Sequence, residues 1–340
     1  MRRPPTFLAA CVLPLLAAGC AGPQSALDPQ GPNAASLAWL IWFFTAICGA
    51  VWLLVMITLG VALWRRRSVA TDPTELPAPA EPGEERRTSR VVLGALAATI
   101  VIITVLTTLS FLATRSLSEA KGEPLVVRLR GYQWWWEVTY TAGSPDRFLT
   151  SANEIRVPVG RPVRLELSSG DVIHSFWVPS LAGKQDLIPG RENILTFTAD
   201  RPGSYRAQCA EFCGMQHARM AMVVVALPPD EFERWMDAQL RDAAAPTTEE
   251  EAAGREVATS KACAACHAIR GTPASGTVGP DLTHVASRQT IAAGTLPTTR
   301  GALAAWIADP QTIKPGSKMP MVPLSADELR AVSAYMASLK

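Results

Sequence analysis

Two long apolar stretches past the first 30 residues carry no charge: Leu37 to Trp64, 28 residues, and Val91 to Thr114, 24 residues. An α-helix needs about 20 apolar residues to cross the hydrocarbon core of a bilayer, so both predict transmembrane helices. Trp39 and Trp64 stand near the ends of the first run, where indole rings favour the membrane interface. From Pro124 the period changes. Leu125, Val127 and Leu129 alternate with Val126, Arg128 and Arg130. Ile155, Val157 and Val159 alternate again, as do Val163, Leu165 and Leu167 with Arg164, Glu166 and Ser168. Val223 and Val225 sit in a further apolar run. Such period-two runs, bounded by Gly, Pro and Ser, predict short strands and an antiparallel β-sandwich. Near the C-terminus Ser325 and Glu328 make a capping box. The stripe Leu329, Val332, Met336 and Leu339 that follows predicts an amphipathic helix.

The ends of the helices set a topology. Arg2 and Arg3 precede an apolar run, Thr6 to Ala18, and then Gly19 and Cys20. This predicts an export signal over 1–19, too short to span a bilayer. LAAGC resembles a bacterial lipoprotein box with Cys20 as the lipidated first residue; an ordinary signal peptide is the alternative. Arg65, Arg66, Arg67, Arg86, Arg87 and Arg90 crowd into residues 65–90, whereas 21–36 contain no Lys or Arg. The positive-inside rule places that loop in the cytoplasm and everything beyond about Arg115 outside. The predicted order is signal 1–19, extracytoplasmic segment 20–36, helix 37–64, cytoplasmic loop 65–90, helix 91–114, β domain 120–236, linker 237–250 and C-terminal domain 251–340. Composition agrees: 48% hydrophobic and only 18% charged residues suit a membrane protein. A net charge of +2 gives no electrostatic case for nucleic acid. Seven cysteines, an odd number with four in two close pairs, do not suit a disulfide framework.

The first pair lies in CAEFCGMQHARM, residues 209–220. It offers Cys209, Cys213, His217 and Met220, and His174 in DVIHSF stands far upstream. A sandwich can bring such distant loops together at one end. Soft thiolate and thioether with imidazole favour copper, and thioether is a poor zinc ligand. A mononuclear site needs only one cysteine, and two thiolates can bridge two metals. A Cys209–Cys213 disulfide is the competing reading in an exported protein.

CAEFCGMQHARM, with DVIHSFWVPSLAGKQDLIPG upstream, resembles subunit II of cytochrome c oxidase, over roughly residues 30–240. The resemblance implies a cupredoxin-like β-sandwich holding a binuclear copper centre, CuA. The implied ligands are His174, Cys209, Cys213, His217, Met220 and the backbone carbonyl of Glu211. The Glu211 carboxylate is further implied to reach a magnesium or manganese ion at the boundary with subunit I. GYQWWWE, residues 131–137, resembles the family's aromatic run, with Trp134 at the position of the electron-entry tryptophan. Without the resemblance, alternate rings of that run would simply pack the core. One departure stands out. Family members often carry a proton-uptake glutamate near the start of the second helix, where this chain reads EERRTSRVV; Glu84 and Glu85 are its nearest carboxylates.

The second pair lies in KACAACHAIRG. Cys263, Cys266 and His267 form C-x-x-C-H, the signature of covalent haem c: two thiols for the two vinyl groups and a histidine for the iron. Met319, in KPGSKMPMVP, is the predicted sixth ligand, with Met321 its competitor; a Met ligand raises haem potential. The segment resembles class I cytochrome c, an all-α domain, in its Met-Pro and in GPDL, residues 279–282. His284 reads as solvated or structural.

Together these resemblances imply a multidomain membrane protein, subunit II of a caa-type haem-copper oxidase. Oxygen reduction and proton pumping would belong to subunit I. Implied partners are subunit I, further oxidase subunits, membrane lipid, and an external donor such as a cytochrome c or an upstream respiratory complex. The implied location is the bacterial cytoplasmic membrane. No acid–base or nucleophilic catalyst is expected in this chain. A short flexible linker would hold the haem near the copper at an effective concentration of about millimolar. The alternatives are a CuA-bearing subunit of a nitric oxide reductase and a stand-alone membrane-tethered electron carrier or copper chaperone. Nitrous oxide reductases share the copper motif but are soluble and need a propeller domain.

Overall fold

The computed structural model describes residues 22, 24–67, 82–117, 122–141 and 148–340. The predicted signal 1–19, Cys20 and residues 68–81 of the predicted cytoplasmic loop lie outside the described residues. The chain forms two compact units: Ser36–Leu117, and the remainder.

The first unit is helical. α1 spans Pro32–Arg67 and α2 spans Pro82–Leu117. Both outrun the uncharged stretches because the helical hydrogen bonding continues into the arginine-bearing flanks. Each is long and apolar enough to cross a membrane. Trp52, Leu54 and Ile57 are more than 60% exposed. Apolar side chains left bare along a whole helix suit lipid as solvent, because the backbone is already satisfied within the helix.

The second unit begins with ten strands: β1 Leu125–Tyr132, β2 Trp135–Thr141, β3 Phe148–Ala152, β4 Glu154–Pro158, β5 Val163–Ser169, β6 His174–Trp177, β7 Gln185–Leu187, β8 Asn193–Phe197, β9 Gly203–Cys209 and β10 Ala221–Leu227. They form two five-stranded sheets, β3-β2-β1-β5-β8 and β4-β10-β9-β6-β7. The alternating residues meet between the sheets: Val127, Leu129, Val157, Leu165 and Leu167 are fully buried. One expectation needs correction. The sandwich is mixed, not antiparallel throughout, because β1 runs parallel to β5 and β4 parallel to β10. Period-two alternation reports which face a side chain takes, not the direction of the neighbouring strand.

α3, Pro229–Gln239, leaves the sandwich. The C-terminal domain is helical: α4 Glu249–Ser260, α5 Cys263–Cys266, α6 Arg300–Ala308, α7 Pro310–Ile313 and α8 Ala326–Ser338. Its described residues add one two-stranded hairpin, Thr290–Ile291 with Leu296–Pro297. The capping box forms: Glu328 N donates to Ser325 Oγ at 3.2 Å, and Ser325 N to Glu328 Oε2 at 2.8 Å. Val332, Tyr335, Met336 and Leu339 are buried against α4 and its surroundings.

The two domains touch. Glu154 accepts from Arg156 Nε at 2.9 Å and from Gln289 N at 2.7 Å, while Arg156 donates to Ser287 O at 2.6 Å. The linker is not free either. Ala243 N donates to Arg270 O at 3.0 Å, and Arg270 reaches back to Gln239 O and Leu240 O. The flexible tether expected from composition is therefore pinned. The backbone groups of Gln239, Leu240 and Ala243 are satisfied by the C-terminal domain.

Candidate functional site

The loop 210–220 joins β9 to β10 and is closed at its base by Cys209 N donating to Met220 O at 2.9 Å. β6 lies beside β9, with Phe176 opposite Cys209, and Ala210 N donates to Ser175 O at 2.9 Å. Strand pairing thus carries His174 to the loop despite their distance in sequence. His174 and both thiols present ligand atoms within 4.8 Å of one another. Cys209 Sγ lies 3.7 Å from Cys213 Sγ and 3.2 Å from Glu211 O. Cys213 Sγ lies 3.7 Å from His217 Nδ1 and 3.8 Å from Met220 Sδ. Every donor expected from the sequence is in this cluster, including the Glu211 carbonyl. Both cysteines are free thiols, so the competing disulfide is not formed. The Glu211 carboxylate points away, to Lys184 Nζ at 3.3 Å.

Burial and mutual contact shift the protonation of His174, Cys209 and Cys213. The His174 ring is fully buried, and its Nε2 lies 2.8 Å from Asp171 Oδ1. Its Nδ1 is buried and meets no hydrogen-bond partner among the described residues. An orphaned ring nitrogen facing two thiols is costly unless a ligand takes its lone pair. Burial opposes charge on Asp171. The N–H of Gln133, the His174 ring and the N–H of Val172 outweigh it and hold the carboxyl below its usual range. Contact with Cys213 moves the Cys209 thiol strongly down, while the same contact and burial push Cys213 up. The pair thus shares its protons unequally, with Cys209 the readier thiolate. Thiolates, a bare imidazole nitrogen and a buried thioether form a donor set that fits copper. Gly131 is needed at the wall: a Cβ there would stand 2.9 Å from His174 Cδ2.

The haem-type motif opens a second site. Cys263, Cys266, His267 and Met319 line one cavity, with Leu303 and Trp306 among its apolar walls. His267 Nδ1 lies 2.7 Å from Pro280 O, which leaves Nε2 for an iron. Burial holds His267 below the ordinary histidine value, in the neutral form that binds metal. Gly279 makes room: a Cβ there would stand 2.6 Å from His267 Cε1. Met321 is 59% exposed and does not line the cavity. His284 is buried, with Nδ1 2.8 Å from Lys340 O and Nε2 3.0 Å from Arg241 O, a structural role.

The three tryptophans divide their work. Trp136 is core, Trp135 stacks on Tyr132 with centroids 5.0 Å apart, and Trp134 lies between the domains. The Trp134 indole donates to Cys213 O at 3.0 Å, and its ring lines the haem-type cavity. Sequence reasoning missed Asp171, Gly131 and Lys314, and it had Pro280 only as part of GPDL, without the bond its carbonyl makes. Asp171 stands three residues before His174, a signal visible in DVIHSF; the others depend on packing across domains or strands.

Comparison with known proteins gives two domain matches. The family described as cytochrome C oxidase subunit II, periplasmic domain, matches residues 142–227, and cytochrome c matches residues 251–340. The chain is 32% identical over 338 residues to cytochrome c oxidase subunit 2 of Alkalihalophilus pseudofirmus, covering 98% of this chain and 96% of that one. It is 30% identical over 350 residues to that of Bacillus subtilis, covering 98% and 97%. A crystal structure of the periplasmic domain of subunit II of cytochrome oxidase from Bradyrhizobium japonicum is 29% identical, with a TM-score of 0.33, over 36% of this chain and 96% of that one.

Proposed function

This chain belongs to the cytochrome c oxidase subunit II family, in the form that carries a cytochrome c domain, and from that premise we propose that it takes electrons from an external donor at a haem c and delivers them by way of a binuclear CuA centre to subunit I. The family membership makes it a membrane protein with an extracytoplasmic domain, associated with the oxidase complex and carrying copper and haem. Oxygen chemistry lies outside this chain.

Bound at these sites, copper and haem iron would supply one-electron uptake and release. The remaining work is done by side chains. Cys263 and Cys266 would anchor the haem, and His267 and Met319 would hold its iron. His174, Cys209, Cys213, His217, Met220 and the Glu211 carbonyl would hold two copper ions. Asp171 orients His174, and Pro280 O orients His267, fixing which nitrogen each ring offers. The second thiolate, one more than a mononuclear site needs, supports two coppers over one. Trp134 is the candidate conduit, since it contacts the Cys213 carbonyl and the haem cavity at once. The Glu211 carboxylate would have to leave Lys184 to reach a magnesium or manganese ion at the subunit I boundary.

One observation carries this reading: the bare, buried Nδ1 of His174 aimed into a cluster of two free thiols, a second imidazole and a thioether. Two spectra test it. The oxidised chain should give a paramagnetic resonance signal of one unpaired electron shared by two coppers, and the reduced chain the visible bands of a c-type haem. A mononuclear copper spectrum would refute the binuclear assignment.

A further inference from the structure

One short segment of the haem domain, residues 313–318, grips the surroundings of the copper cluster. Lys314 is 2% exposed, and its Nζ donates to Trp134 O at 2.7 Å, Arg219 O at 2.9 Å and Ala292 O at 3.2 Å. Three carbonyl oxygens face the amino group, which carries two N–H donors as the amine and three as the ammonium. No carboxylate is among its partners. Around it, Gln216 Nε2 donates to Pro315 O at 2.8 Å, and Arg219 donates to Ile313 O. Lys318 Nζ lies 3.6 Å from Asp171, the carboxylate that orients His174. On the other side of the loop, Ala221 N donates to Ala293 O at 3.0 Å.

The placement of these contacts is not random along the copper loop. Gln216 lies between Cys213 and His217, Arg219 between His217 and Met220, and Ala221 directly after Met220. The side chains of Gln216 and Arg219, the Arg219 carbonyl and the Ala221 N–H are thus all held by the other domain. The gripping segment runs directly into Met319, the predicted iron ligand. One stretch of chain therefore borders both metal sites.

We propose that Lys314 is a positioning residue that completes the copper loop from the haem domain, so that the geometry of the CuA centre and the docking of the haem domain depend on each other. The inference rests on the copper and haem reading above and extends it from two adjacent sites to one coupled unit. Its physical basis is an asymmetry. Replacing Lys314 by an apolar residue leaves Trp134 O and Arg219 O facing the interface without the donor they have here, while Ala292 O keeps Thr295 Oγ1, and unmade bonds of buried groups cost more than made ones contribute. A surface contact such as Lys318–Asp171 is worth far less.

The test uses the full-length chain in detergent with both cofactors loaded. Hydrogen exchange and the copper resonance spectrum are recorded for wild type, Lys314→Leu and Ile269→Val, the last a mild change in the haem-domain core away from the interface. The expected result for Lys314→Leu is exchange about tenfold faster or more in both 214–221 and 313–319, on the scale of one lost buried hydrogen bond to a charged group. A changed copper spectrum should accompany it. Ile269→Val should leave residues 214–221 and the copper spectrum unchanged. Lys314→Leu with wild-type exchange in 214–221, or with the same diffuse loosening as Ile269→Val, overturns the proposal. If Lys314→Leu does not accumulate as folded protein, Gln216→Leu takes its place, with a smaller change expected in the same two segments and no change overturning the proposal. Failure of the underlying reading is distinguishable, because wild type itself would then lack covalent haem or the shared-copper signal.

Discussion

At the scale of single residues, the copper cluster shows how much depends on groups that bind no metal. Asp171 leaves His174 only one nitrogen to offer. Asp171→Asn keeps the shape but weakens that orientation, so copper affinity should fall about 10–100-fold, as for other residues that orient metal ligands. Competitive copper titration of the full chain checks this, and unchanged affinity would count against the role given to Asp171. Lys314 gives a pH prediction. Burial draws its amine from 10.5 to about 7, an effect that Arg219 reinforces and Cys213 opposes. Between those values a form with the haem domain undocked binds a proton that the docked form does not. Docking should therefore strengthen as pH rises from about 7 toward 10. Exchange of 313–319, corrected for intrinsic rates, should report rarer opening at pH 8.5 than at 6.5; more frequent opening would reverse the sign and refute the assignment. Side-chain donors such as Cys209 and His217 were legible from the sequence because spacing and softness express their chemistry. The Glu211 carbonyl was not legible from chemistry, since every residue has one, and only the family resemblance pointed to it.

At the scale of elements, legibility followed periodicity. The two helices and strands β1, β4, β5 and β10 all announced themselves by runs or alternation. The parallel β1–β5 and β4–β10 pairings did not, because alternation looks the same whichever way the neighbour runs. α8 was legible down to its cap, since a capping box is local chemistry. Ser325→Ala removes the acceptor for Glu328 N and should cost about 1 kcal/mol. Thermal unfolding followed at the haem band should show a midpoint several degrees lower. An unchanged midpoint would mean that the cap is idle. The strands also explain how the copper site is assembled: β6 beside β9 places His174 at the loop that β9 and β10 close.

At the scale of the whole molecule, the haem domain covers Trp134, which is only 9% exposed. The family resemblance placed Trp134 at an entry surface; that a further domain follows was legible in the chain, but not that it lies over this residue. On the function proposed above, external electrons enter at the haem domain. A chain with Cys263→Ala and Cys266→Ala should keep its copper but be reduced only slowly by an added reduced cytochrome c, followed by the loss of the copper absorbance. Reduction at the wild-type rate would show that a donor reaches the copper domain directly.

The contacts between Lys314, Gln216, Arg219 and Ala221 and their partners are amide and amine hydrogens on carbonyl oxygens, and most lie out of reach of solvent. Mobile ions screen exposed charges over about 10 Å at ordinary salt, but they do little to buried hydrogen bonds. Ionic strength therefore acts on the two halves of the electron's journey differently. The meeting of an outside donor with this protein is a collision that salt can slow. On the proposed route, the onward passage crosses a junction made largely of buried hydrogen bonds, which the ions of the surrounding fluid weaken far less.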